Sequence, residues 1–261
     1  MRIAVLGASG VAGRAFVTLA RAAGHDVDGE RTDLFDPEGL LARLRDCDAA
    51  VNLATSIPRH GGRGDWTVND RIRREGTGNL IKACVKAQVP VLLQQSVAML
   101  LNAADDRPQG EDDAIQGYGR IASAADMEAL VRAAPLDGRL VRGGLFYGPG
   151  TGRAEAWAAE LAAPDFRIPG DGSAWISPIH VEDYAAALLT VLHQGRPREA
   201  VNACEDAPIR LQELYEGLAR SSRRASPPCG GPSGLRSFRV DNQRLRGLGG
   251  QPRHALRATF A

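Results

Sequence analysis

The first residues of this chain with both the type and the spacing to do chemistry are Gly7-Ala8-Ser9-Gly10-Val11-Ala12-Gly13. They follow the aliphatic run Arg2-Ile3-Ala4-Val5-Leu6 and precede Phe16, Leu19 and Ala20, which recur at helical spacing until Gly24. A strand, a glycine turn and a helix in one unit aim helix N-terminal N–H groups and a positive dipole end at one point, where a pyrophosphate binds. The glycines allow the tight turn, the close backbone approach to a ligand and the close packing of helix on strand. Two hydroxyls come next: Ser96 ends the run Pro90-Val91-Leu92-Leu93-Gln94-Gln95, and Tyr118 opens a helix. Hydroxyls both donate and accept hydrogen bonds, and a phenol can also give up its proton.

Other chemistries have less support. The five histidines, His25, His60, His180, His193 and His254, form no H-x-x-x-H or H-E-x-x-H spacing, and no metal site is expected. His180-Val181-Glu182-Asp183 precedes an apolar helix and reads as cap and core contacts. Gly117-Tyr118-Gly119 does not resemble a nucleophile elbow, and Ser96 has no sequence-marked His and Asp partners, which argues against hydrolysis. Cys47, Cys84, Cys204 and Cys229 contain no C-x-x-C pair and read as reduced packing residues of a cytoplasmic protein.

These groups need a scaffold, and the chain alternates strand and helix to supply one. Asp36-Pro37-Glu38 starts a helix with proline at its first position and Leu40, Leu41 and Leu44 on one face. Ala49-Ala50-Val51-Asn52-Leu53-Ala54 is the next buried strand. An arginine-rich helix keeps Ile72, Gly76, Leu80 and Cys84 on one stripe, with Gly76 and Gly78 suggesting close packing on the sheet. The helix opened by Tyr118 carries Ile121, Ala125 and Leu130, and Gly138-Arg139-Leu140-Val141-Arg142 leads into a strand counted as the sixth. The pattern predicts an α/β fold with a doubly wound parallel sheet of Rossmann type over residues 1–150. Residues 151–261 read as a small substrate lobe, interleaved with the first part rather than independent. Within it, 149–178 reads as a glycine- and proline-rich loop, Asp183 to Gln194 as helix, and Ser226 to Pro232 as a turn cluster.

With 32 basic and 31 acidic residues, the net charge of +1 gives no pull toward nucleic acid or a membrane surface. No apolar run approaches the ~20 residues of a membrane span. The expected partner is a small-molecule substrate, and nothing in the sequence indicates an oligomeric state.

The chain resembles an extended or atypical short-chain dehydrogenase/reductase, of the group that includes nucleotide-sugar epimerases, dehydratases and 4-ketosugar reductases. The resemblance rests on the glycine turn, Asp33-Leu34-Phe35-Asp36-Pro37, Asn52-Leu53-Ala54, Gly76-Thr77-Gly78-Asn79-Leu80, the strand ending at Ser96, Tyr118-Gly119-Arg120, Tyr147-Gly148-Pro149-Gly150 and Pro178-Ile179-His180-Val181-Glu182-Asp183. It implies a nicotinamide dinucleotide bound by Gly7, Ser9, Gly10, Val11 and Gly13 at the pyrophosphate, by Asp33 and Leu34 at the adenine, and by Leu53, Ala54 and Thr55 further along. Glu30 and Arg31 are both available near the second strand's end, one suited to the ribose of NAD and the other to the 2′-phosphate of NADP. The resemblance favours NADP through Arg31, with NAD the alternative. Arg142 and Tyr147 stand at the strand end that faces ligand in such a sheet.

For catalysis, the resemblance assigns Ser96 to the substrate oxygen and Tyr118 to acid/base work. Where that pattern continues Tyr-x-x-x-Lys, this chain has Ala122. A lysine there binds the nicotinamide ribose and lowers the tyrosine pKa. Free phenols ionise near pH ~10, so without it a tyrosinate for alcohol oxidation is scarce at neutral pH, while the neutral phenol needed for reduction is abundant. The departure favours one-way ketone reduction on a medium-to-large substrate, in the manner of lysine-free reductases of aromatic polyketides. The rivals are a non-redox cyclase, dehydratase or isomerase, and a cofactor-binding regulator.

Overall fold

The computed structural model describes residues 1–58, 64–102, 106–233 and 236–260. A six-stranded sheet forms its centre, made of β1 (Arg2–Leu6), β2 (Asp26–Asp28), β3 (Ala49–Asn52), β4 (Val91–Val97), β5 (Asp137–Gly143) and β6 (Ala200–Ala203). Every neighbouring pair is parallel, in the order β2-β1-β3-β4-β5-β6. β1 sits between β2 and β3, so successive connections leave it in opposite directions; this is the switch point at which open α/β sheets bind ligand. Gly138–Arg142 lies in the fifth strand of the chain rather than a sixth, because no strand is formed between β4 and β5 among the described residues. The sheet's sixth strand comes from beyond residue 150, pairing Ala200 with Leu140 and Ala203 with Gly143.

The sequence explains the layers. Ile3, Ala4 and Val5 are all fully shielded, as expected for a strand covered on both faces. On one face lie α1 (Val11–Ala22), whose Gly13, Phe16 and Ala20 are buried, and α7 (Val181–Gln194), packed with Val5, Val51, Val141 and Val201. On the other lie α2 (Pro37–Leu44), α4 (Thr77–Lys86) and α5 (Ala122–Ala133), over Ala4, Leu6, Leu92 and Leu140. Asp36 caps α2 by accepting from the Gly39 N–H at 3.1 Å, with Pro37 at the first position as expected. α3 (Thr67–Arg71) runs into α4 through a π turn, Ile72–Gly76. Gly76 meets Leu34 closely, but a Cβ on Gly78 would touch nothing within 4 Å, so only Gly76 is a packing glycine.

A separate apolar cluster joins Trp157, Ile176, Leu214, Phe238 and Leu256 to Ala98, Leu101 and Tyr147 from earlier in the chain. Within the stretch that reads as loop, Arg153–Ala162 forms a helix, α6. The flanking glycines mask its alanine-rich sequence, which has strong helix propensity. Two further helices, α8 (Leu211–Ser221) and α9 (Gln243–Gly247), follow in the chain.

Candidate functional site

The glycine turn lies at the switch point. Gly7 has φ +82°, and a Cβ there would come within 2.6 Å of Ala54 N and the Leu53 carbonyl carbon, so the turn from β1 and the loop after β3 are in backbone contact. A Cβ on Gly13 would collide with the Gly7 carbonyl oxygen. These two glycines are required by the fold. Gly10 differs: the nearest atom to a Cβ there is Gly7 O at 3.2 Å, with nothing else within 4 Å. Gly10 also precedes α1, which has no side-chain cap and no acid in its first turn. Its first N–H groups therefore face an open cradle that suits an anion. Asn69 of α3, fully buried, accepts the Ser56 N–H at 3.0 Å while its Nδ2 is buried without a partner, a spare donor beside the loop that follows β3. The residues present fit a dinucleotide.

The other expected contacts divide by exposure. Ser9, Arg31, Asp33 and Thr55 are exposed, and Val11 and Ala54 are half-buried. Leu34 and Leu53 belong to the two sheet-face cores, so a ligand meets their backbone rather than their side chains. Arg31 and Asp33 line a concavity after β2 together with Asp28, Asp36 and Arg43. Asp33 already closes a turn by accepting the Phe35 N–H at 2.9 Å, and Asp28 pairs with Arg43 at 3.0 Å.

The two hydroxyls lie at or after the carboxyl end of β4, and they have different partners. Ser96 faces α5, where its Oγ donates to Glu128 Oε1 at 2.7 Å, and the residue is only 2 % exposed. Arg142, opposite Ser96 in the β4–β5 register, donates from Nε and Nη2 to the same carboxylate at 2.9 and 2.8 Å. Arg132 adds a third cationic contact at 3.0 Å. Burial alone would raise the Glu128 pKa, but the Arg142 hydrogen bonds and charge, with Ser96 and Arg132, hold it below the usual carboxylate range. Ser96 therefore spends its proton on an ionised carboxylate rather than presenting it to a substrate oxygen. Arg142 is the strand-end ion pair, with Nη1 left buried and unpaired.

Tyr118 is outside any helix. Its backbone is extended, φ −144° and ψ 148°, and a 3₁₀ turn, Gly119–Ile121, with Gly119 at φ +43°, separates it from α5. The spacing of four to Ala122 therefore does not put the two on one helical face, because the α-helix begins only at Ala122. Counting back one turn from Glu128 along the face that meets Ser96 gives Ala124, which is fully buried. The Tyr118 ring packs with Leu100, Ile121 and Ala124, and the Arg236 guanidinium lies 4.3 Å from its centroid. Asn102 Oδ1 accepts from Arg236 Nη1 at 3.3 Å.

Sequence reasoning does not find Glu128, Asn69, Asn102 or Arg236, none of which belongs to a local motif. His180 caps α7 through Nδ1, which accepts the Glu182 N–H at 3.3 Å. His180 and His254 stack at 3.7 Å and 17°, and their nitrogens lie within 4.8 Å of a Glu182 oxygen. Parallel rings, with His180 Nδ1 already an acceptor, give no convergent lone pairs for an ion. His60 lies outside the described residues.

Residues 3–204 match the model of the NAD dependent epimerase/dehydratase family. A 3-diazoavenalumate denitrifying reductase of a Streptomyces species is 28% identical over 262 residues, covering 90% of this chain and 86% of the relative. A dTDP-4-dehydrorhamnose reductase of Mycolicibacterium smegmatis is 29% identical, covering 88% of this chain and 72% of its own. Among solved structures, MoeE5 in complex with UDP-glucuronic acid and NAD superposes with a TM-score of 0.84 at 22% identity, covering 100% of this chain and 96% of the other. RMD from Pseudomonas aeruginosa, complexed with NADPH, gives 0.80 at 20% identity, with 99% and 96% covered.

Proposed function

Because the chain belongs to the NAD dependent epimerase/dehydratase family, we propose that it is an NAD(P)H-dependent reductase acting on a carbonyl of a medium-to-large substrate, with Tyr118 as the proton donor. The open cradle at Gly10, in front of an uncapped helix, carries this reading. The first-turn N–H groups of α1 would hold the pyrophosphate, Asp33 would face the adenine, and Arg31 would hold a 2′-phosphate, which makes NADP the cofactor and NAD the alternative. When bound, the nicotinamide supplies hydride. Tyr118, half-buried against the Leu100 and Ile121 cluster, donates its phenolic proton to the substrate oxygen. Ser96 contributes by fixing the end of β4 against α5, since its own proton is held by Glu128.

Calorimetric titration with NADPH and NADH tests the reading, with Gly10→Val as the control that fills the cradle. Binding to the wild type and its loss in Gly10→Val are expected, followed by deuterium from labelled NADPH in a reduced product. No heat with either dinucleotide would refute it.

One observation favours a second reading within the same class. Neither Ala122 nor Ala124 offers an acid along the α5 face, and Ser96 is engaged. A hydride acceptor that needs no proton at the moment of transfer suits such a site. The Streptomyces relative is named for reducing a diazo compound with loss of nitrogen; a diazo group in its cationic diazonium form takes hydride at the terminal nitrogen to give a neutral diazene, which releases N2 as its N–H hydrogen passes to carbon, so no outside proton is consumed. Tyr118→Phe separates the two: it lowers carbonyl reduction by about 10²–10⁴-fold if the phenol is the acid, and changes little if the acceptor needs none.

A further inference from the structure

We propose that Arg236 is a substrate-anchoring residue and that the substrate is anionic, its oxyanion held by the guanidinium that lies on Tyr118. The inference rests on the reductase reading above for the identity of the ligand as substrate, but not for the existence of the anion site.

Arg236 is set apart by what it lies on. Arg210, Arg244, Arg246 and Arg257 end on carboxylates, and Arg167, Arg224 and Arg239 end on backbone carbonyls, whereas Arg236 lies over the Tyr118 ring. Arg236 has no carboxylate partner among the described residues, and its one hydrogen bond goes to a neutral amide. Among the described residues its other N–H donors have no protein acceptor, and, the side chain being exposed, they are open to a ligand.

The position is fixed. Asn102 is 6 % exposed, and its Nδ2 donates to the carbonyls of Met99, Leu100 and Gln116 at 2.9, 3.2 and 3.0 Å. The amide cannot flip without losing those bonds, so Oδ1 is its only face toward Arg236. From below, the Tyr118 ring supports the guanidinium at 4.3 Å, the distance of a cation–π contact. One side chain from the C-terminal lobe is thus clamped between a rigid amide of the segment after β4 and the proposed proton donor. A guanidinium held flat with free donors is suited to bidentate capture of an oxyanion. A carboxylate or phosphate held there would bring its own molecule's reducible group within reach of Tyr118.

The test uses the full chain with and without NADPH, and three aromatic ketones of matched shape as probes: 4-acetylbenzoate, 4-acetylbenzamide and 4-acetylphenyl phosphate. Calorimetry on wild type should show at least tenfold tighter binding of one or both anions than of the neutral amide, and the stronger anion identifies carboxylate or phosphate as the group recognised. Arg236→Gln should bring the three probes to equal affinity, and Arg236→Lys, which keeps the charge but not the fork, should retain part of the preference. Thermal melting of both variants should match wild type, because Arg236 is exposed. Equal binding of acid and amide by wild type, an anion preference that survives in Arg236→Gln, or no binding of any probe overturns the proposal. The expected preference in wild type, lost in Arg236→Gln, with no NADPH oxidation on any probe would instead count against the reductase reading alone.

Discussion

Replacing Glu128 by glutamine keeps the size of the side chain and removes the one charge that balances Arg142 under α5. Both members of the pair are buried, with side-chain exposures of 1% for Arg142 and 0% for Glu128. Breaking such a pair from one side leaves an uncompensated buried ion and costs about 3–5 kcal/mol. Gln keeps an oxygen that can still accept from Ser96, so the lower end applies, and Arg132, 35% exposed, regains water and adds little. At about 2–4 °C per kcal/mol for a chain of this size, a loss of about 3 kcal/mol lowers Tm by roughly 6–12 °C. Calorimetric and urea unfolding of wild type, Glu128→Gln, Arg142→Met and the double variant measure it. The double variant should be less destabilised than the sum of the singles, since it leaves neither charge alone. The sign of the pH dependence follows from the lowered Glu128 pKa. A carboxylate ionised more readily in the folded state contributes stability above the ordinary glutamate range and loses it as pH falls through the lowered folded value. The gap between wild type and Glu128→Gln should therefore narrow in acid. A Glu128→Gln loss below about 1 kcal/mol, strict additivity in the cycle, or a gap that stays constant down to pH ~2 refutes the account of an ionised, load-sharing pair.

Three further outcomes are expected. Gly7→Ala should unfold at markedly lower denaturant than Gly10→Ala, because only the former needs a positive φ and meets Ala54 N at 2.6 Å; equal midpoints in urea would contradict the cradle geometry. Arg31→Ala should weaken NADPH by about tenfold or more, the scale of a charge-assisted contact, with a smaller loss for NADH; equal losses by calorimetry would make Arg31 a bystander. Of the four free thiols, Cys229 is the one not buried, whereas burial and the neighbouring Cys47 push the Cys84 thiol up to about 12. Maleimide labelling followed by peptide mapping should find Cys229 first, and early modification of Cys84 would show that α4 opens more readily than its packing implies.

What was legible in the sequence was local. The turn from Gly7 to Gly13 names its own neighbours: β1 before it and α1 after it follow from a dozen consecutive residues, and the structure adds only that Leu53 and Ala54 close the cradle. Asp36 and Pro37 mark the start of α2 for the same reason. The misses arise where spacing is converted into a face without knowing where the helix begins. Tyr118 and Ala122 are four apart, yet Gly119 turns the chain and only Ala122 is helical, so the gap in the Tyr-x-x-x-Lys pattern is not a gap beneath the tyrosine. The partner that does lie against Tyr118 is Arg236, and the one that holds Ser96 is Glu128 on the next helix. Neither pairing leaves a trace in a window of ten residues, because each depends on which elements the parallel crossovers bring together. The cation that lies against Tyr118 comes from far along the chain, at Arg236, rather than from the turn that follows the tyrosine, so under the proposal above a substitution at Ala122 tests the motif while a substitution at Arg236 tests the anchoring role.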